Sequence, residues 1–155
     1  MALFSASSFS EEIPKENAKD KAVDWKKEFK ALSDEDRKLH LDSLEKGRAL
    51  FAQKRIKKAL DELFIAAAIY PDSPEVENMI GACFIKQRNF DKAMEHFERA
   101  LALTSDGNVI RFNIAEIYFV TKKWKKALEA FEEVHERPIK MVDQLISFSL
   151  VGSKS

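Results

Sequence analysis

Three histidines, a single cysteine and several clusters of lysine are the residues of this chain whose chemistry could be catalytic, metal-binding or anion-binding. His40, His96 and His135 have no Cys or His neighbour at metal-ligand spacing, and His96 and His135 read as ordinary exposed helix residues. Cys83 stands alone, so neither an intramolecular disulfide nor a cysteine cage can form. It shares a register with Ala49 and Ile117, which makes it a small packed hydrophobe rather than a nucleophile. Gly47, Gly81, Gly107 and Gly152 are too dispersed to cradle a phosphate, and Glu132 and Glu133 lie on a helix of alternating charge, the usual solvated face. No catalytic residue, metal site or cofactor is therefore expected. What remains is KKWKK, Lys122 to Lys126, which reads either as a nucleic-acid patch or as the solvated turn before a helix that buries its tryptophan.

Composition bounds the choice. A chain of 155 residues can bury about 68–70% of the surface that its unfolded form exposes, enough for one core without staples. Its 26 basic residues balance its 26 acidic ones, so attraction to a polyanion must come from local patches. Four Gly and four Pro leave room for long helices. The opening MALFSASSFSEEIPKENAKDK lacks the basic start and apolar run of a secretory signal, and no apolar stretch approaches the roughly 20 residues that span a bilayer. A cytoplasmic address and no membrane insertion are expected.

Residues 1–19 carry no periodic pattern and read as a flexible leader. Residues 20–32 suggest a short helix with one apolar side, made by Val23, Trp25, Phe29 and Leu32. Ser33 is an N-cap candidate, with Asp34 and Glu35 in the first turn and Asp36 placed to close a capping box, so a long helix is predicted to run to about Gln53.

Beyond this point the chain repeats. Gly47 aligns with Gly81 and Ala115, Leu50 with Phe84 and Tyr118, and Ile56 with Phe90 and Trp124, each step being 34 residues. Ala59, Ala93 and Ala127 share a register, as do Leu63, Phe97 and Phe131, and then Ala66, Ala100 and Val134. Each row holds two stretches of helical periodicity around a polar turn, so the fold class is an all-α solenoid of three helix–turn–helix repeats, about 40–73, 74–107 and 108–138 within 33–139. The small residues let the two helices of a row approach, and the large ones fill the space beside them.

The pattern G-x-x-F at Gly81 to Phe84, F-D-K-A at Phe90 to Ala93 and H-F-E-R-A at His96 to Ala100 resembles the tetratricopeptide repeat, with Pro71 where that repeat commonly ends. The first row departs from it at Lys46 and Leu63, and the third has Ala115 where glycine is usual. The resemblance implies a superhelix whose first helices line a concave groove for a peptide or a partner's helix. It would place Leu41, Leu44, Arg48, Phe51 and Ala52 of the first row on that groove, with Glu75, Asn78, Ala82, Ile85 and Lys86 of the second. From the third row it would add Val109, Phe112, Glu116, Phe119 and Val120.

Members that clamp a chaperone's C-terminal carboxylate use lysines, an arginine and asparagines in the groove. Here Leu44, Phe112 and Glu116 stand in clamp positions, and only Arg48 and Asn78 offer comparable groups, so a carboxylate clamp is not expected. The groove instead suits an apolar or amphipathic peptide read by side-chain anchors, with Arg48, Lys86 and Glu116 setting its orientation. In overall plan the chain is also similar to the small three-repeat chaperones of type III secretion translocators, with GAC at Gly81 to Cys83 and AEIYFV at Ala115 to Val120 as local echoes.

Trp124 falls in the column of Ile56 and Phe90, so its ring is expected to pack between helices and leave the lysines on the turn. The equivalent turns are basic as well. Lys54, Arg55, Lys57 and Lys58, then Lys86, Arg88 and Lys92, then Lys122, Lys123, Lys125 and Lys126 would align as a ridge along one edge of the stack. The opposite turns, YPDSPE and TSDGN, are neutral or acidic. Without aromatics exposed among the lysines, nucleic acid is not an expected partner.

After Pro138, residues 140–155 read as a short apolar helix, either a cap or the first helix of a fourth repeat. The expected function is a non-enzymatic adaptor or chaperone that binds a protein or peptide with apolar anchors. The alternative is a homo-oligomeric self-assembly module using the same groove and the C-terminal helix.

Overall fold

A computed structural model describes residues 24–134. The leader, Val23, His135 and the apolar helix expected after Pro138 lie outside the described residues. Seven helices and no strand occupy the described residues: α1 (Trp25–Ala31), α2 (Asp34–Ala52), α3 (Ile56–Ile69), α4 (Pro74–Lys86), α5 (Phe90–Leu103), α6 (Asn108–Val120) and α7 (Trp124–Glu132). They form an all-α helical repeat solenoid in which α2 pairs with α3, α4 with α5 and α6 with α7.

The helix starts follow from local chemistry. Ser33 caps α2, its hydroxyl accepting from the Asp36 amide at 3.0 Å. The return half of the expected capping box differs, because the Asp36 carboxylate accepts from the Ser33 hydroxyl at 2.7 Å. Ser73 caps α4 and Pro74 follows at the first helical position, where its missing N–H would have no helical partner. Asn89 caps α5 through its side chain, whereas Arg55 before α3 and Lys123 before α7 make no side-chain cap.

The turn inside each pair has one geometry used three times. The Arg55, Asn89 and Lys123 amides donate to the Leu50, Phe84 and Tyr118 carbonyls at 2.9, 2.9 and 2.8 Å. The Lys54, Arg88 and Lys122 amides donate to the Phe51, Ile85 and Phe119 carbonyls at 2.9, 2.9 and 3.0 Å. This pairing of bonds is the Schellman closure, and it requires a left-handed residue between the two helices. Lys54, Arg88 and Lys122 supply it, with φ of 61°, 58° and 61°. Glycine or asparagine usually fills such a site because a Cβ is strained there. This chain uses a basic residue every time.

Packing follows the 34-residue columns. Ala59, Ala93 and Ala127 are fully buried, as are Leu63, Phe97 and Phe131 opposite Gly47, Gly81 and Ala115. Burying each such large side chain stabilises the fold by about 1.5–3 kcal/mol. Successive first helices, the inner helices of the expected groove, touch along the stack, α2 with α4 and α4 with α6.

The short α1 docks against the first pair. Phe29 packs on His40 and Tyr70 with ring centroids 5.2 and 5.5 Å away, and the Tyr70 hydroxyl donates to the Trp25 carbonyl at 3.0 Å. His40 is buried and hydrogen-bonds the Ala66 carbonyl through Nδ1 at 2.9 Å, where Nδ1 must carry the proton. This aromatic cluster explains why α2 extends more than a turn further back than α4 or α6.

Candidate functional site

The residues expected on a groove lie on the first helices of the three pairs, α2, α4 and α6. Phe51, Ala82, Ile85, Phe112 and Phe119 are half-buried, and Arg48 and Lys86 are exposed among them. Leu41, Val109 and Val120 stay open at 52%, 66% and 46% exposure. Leu44 is a correction: at 3% exposure it belongs to the core between α2 and its neighbours, because its register turns it toward the stack rather than the groove.

The first helices are cross-braced from row to row. The Arg48 guanidinium meets the Glu75 carboxylate at 3.0 Å, joining α2 to α4. The Asn113 side-chain amide donates to the Asn78 side-chain oxygen at 2.9 Å, joining α4 to α6. The Lys86 ammonium sits over the Phe51 ring, 6.0 Å from its centroid, and also faces Glu116. Burial pushes the Glu116 carboxyl above the usual carboxylate range, and Lys86 partly offsets that. Arg48 and Asn78, expected as polar handles for a ligand, thus already have partners within the chain.

Phe112 and Phe119 each serve two surfaces. Phe112 packs edge-on against buried Phe131 at 5.5 Å, and Phe119 against Trp124 at 5.4 Å. Trp124 is held between α6 and α7, so KKWKK is a turn whose aromatic packs inward. Cys83 is fully buried, and desolvation pushes its thiol up to about 11.

The ridge residues Lys54, Arg55, Lys57, Lys58, Arg88, Lys92, Lys122, Lys123, Lys125 and Lys126 are all exposed, on the turns after α2, α4 and α6 and in the first turns of α3, α5 and α7. At the other end of the inner helices an open cavity of about 600 Å³ is lined by Trp25, Pro74, Glu75, Asn78, Asp106 and Val109 among others. The short N-terminal helix therefore contributes to the wall of this cavity.

Sequence reasoning missed one buried polar cluster. His96, expected to be exposed, has a side chain only 12% exposed and donates from Nδ1 to the Glu77 carboxylate at 2.6 Å. It stacks on Phe84, and Arg99 approaches the same carboxylate at 3.6 Å. The exposed Phe64 and Ile65 on α3 were also missed. The run LFIAAAI contains more apolar residues than one helix face can bury.

Comparison with known families agrees with this architecture. The tetratricopeptide repeat model matches residues 74–106, and the model of YpiA-like tetratricopeptide repeats matches residues 91–139. Residues 74–139 of the chain thus carry tetratricopeptide repeats. The first helix pair precedes both matches and shares their turn geometry and packing columns. No curated protein matches the chain. Tetratricopeptide repeats mediate protein–protein interactions and typically carry no catalytic activity. Among the described residues, no helix is long and apolar enough to cross a membrane.

Proposed function

We propose that the chain is a non-enzymatic interaction module, an adaptor or chaperone, that holds an apolar or amphipathic peptide segment of a partner protein against the inner helices. The observation that carries this reading is the strip formed by Phe51, Ala82, Ile85, Phe112 and Phe119, half-buried and flanked by exposed Val109 and Val120. A partner's apolar side chains would complete the burial of that strip, at about 25 cal/mol for each Å² of apolar surface removed from water. Arg48, Lys86 and Glu116, already ordered by contacts within the groove, would fix the peptide's direction.

A photo-reactive residue at Ala82, in the middle of the strip, tests the proposal against the same residue at exposed Ala68 on α3. The proposal expects adducts with a second protein from Ala82 and none from Ala68. Adducts from Ala68 alone would contradict it. Self-assembly, the competing reading, draws support from exposed Phe64 and Ile65, which give a second copy an apolar surface. It predicts adducts of twice the chain's own mass.

A further inference from the structure

Exposed basic residues recur at the turn inside each helix pair, apart from the positions expected to line the groove. Two columns of this ridge are basic in every row: Lys54, Arg88 and Lys122 at the left-handed turn position, and Lys58, Lys92 and Lys126 in the first turn of the following helix. Each of the six is exposed. None of the ion pairs formed among the described residues uses a ridge residue; those pairs draw on Arg37, Arg48, His96, Arg99 and Arg111. Asp91 is the one acid that interrupts the three turns.

Local stability accounts for this placement only in part, since a cation at the turn position suits the negative end of the preceding helix. The left-handed site favours glycine, and lysines in the first turn of α3 and α7 oppose the positive end of the helix dipole, by about 0.3–1 kcal/mol each. A carboxylate bound along the ridge would relieve both the dipole conflict and the mutual repulsion of the lysines.

Aromatic rings hold part of the ridge in place. Lys92 lies over Phe84 at 5.5 Å, Arg88 over Phe90 at 5.6 Å and Lys126 over Tyr118 at 5.8 Å. A cation positioned in this way loses less side-chain freedom when an anion arrives.

We infer that the ridge binds an extended acidic segment of a partner protein, with carboxylates recurring at about every third residue. The spacing comes from the stack: neighbouring helices pack about 8–10 Å apart, and an extended chain advances about 3.3 Å per residue. Nucleic acid fits less well, because the aromatics beneath the ridge are at least half-buried and present no open face for base stacking. An anionic membrane also fits less well, because Val120 is the sole exposed large apolar residue among the described ones that borders the ridge.

The test is fluorescence anisotropy on the full chain, with a labelled twelve-residue peptide carrying Glu at every third position among Ser and Gly. Comparators are the isomer with its Glu residues gathered at one end, oligo-dT of twelve nucleotides, and phosphatidylserine vesicles. The ridge variant combines Lys122→Gln, Lys123→Gln, Lys125→Gln and Lys126→Gln. A control of equal charge change combines Lys27→Gln, Lys30→Gln, Lys38→Gln and Lys46→Gln, all exposed and off the ridge. The inference expects the spaced peptide to bind more tightly than its isomer, to lose about tenfold in affinity with the ridge variant and to change less than about twofold with the control. It is overturned by no binding of the spaced peptide, by equal binding of the isomer, by equal loss in both variants, or by tighter binding of oligo-dT or vesicles.

Discussion

A Cβ placed on Gly81 would lie 2.6 Å from Cε1 of Phe97, a ring that is fully buried between α4 and α5. The second helix pair closes to this distance only because Gly81 has no side chain. Gly81→Ala gains about 1 kcal/mol in helix propensity, yet the ring has no space into which it can retreat. A net destabilisation of about 1–3 kcal/mol is expected in urea unfolding. Gly47→Ala meets the branched end of Leu63 at 2.8 Å instead, and a smaller loss is expected there.

The left-handed turn residues should separate stability from binding. Arg88→Gly and Lys122→Gly remove a Cβ from positions with φ of 58° and 61°. Each is expected to leave stability unchanged or raise it by up to about 1 kcal/mol, while weakening the acidic peptide. Thermal unfolding measured beside anisotropy checks both halves.

Cys83 should behave as a protected thiol. It is fully buried and its thiol is pushed up to about 11, so little thiolate exists at neutral pH. Labelling by a soluble disulfide reagent at pH 8 is expected to be slow in the native chain and to become immediate in denaturant.

Glu116 gives the groove a pH signature. Its carboxyl is raised above the ordinary value of 4.5, so the folded state holds its proton more tightly than the unfolded state does. Its contribution to stability therefore falls as pH rises from 4.5 through the raised folded value and stays low at neutral pH. Glu116→Gln is expected to gain slightly in stability at pH 7 relative to the wild type, and to lose that advantage near pH 4. Denaturant midpoints at the two pH values measure the difference.

The repeat was legible because its packing is columnar. A small residue at Gly81 and a large one at Phe97 recur at a fixed step, and helical periodicity carries that pattern directly in the sequence. Contacts between rows were not legible. Arg48 with Glu75 and Asn78 with Asn113 depend on how one first helix slides past the next, which no single helix encodes. The family resemblance puts Leu44 on the groove, yet it says nothing of how closely α2 sits against its neighbours, and the structure buries Leu44 in the core. His96 looked exposed because polar residues usually are; the fit between Glu77 and the face of Phe84 makes its burial tolerable.

Ala82 offers the most direct test of the central claim. It is the counterpart of Arg48 and Glu116, one repeat away in each direction, so that register tolerates a long charged side chain. The affinity of the partner recovered by cross-linking should be measured for the wild type, for Ala82→Arg and for Ala68→Arg, with helicity checked by circular dichroism. The account predicts at least about a tenfold loss for Ala82→Arg, because a charge placed among Phe51, Ile85 and Phe119 displaces an apolar anchor, and no loss for Ala68→Arg. Unchanged affinity in a folded Ala82→Arg chain would contradict binding in the groove.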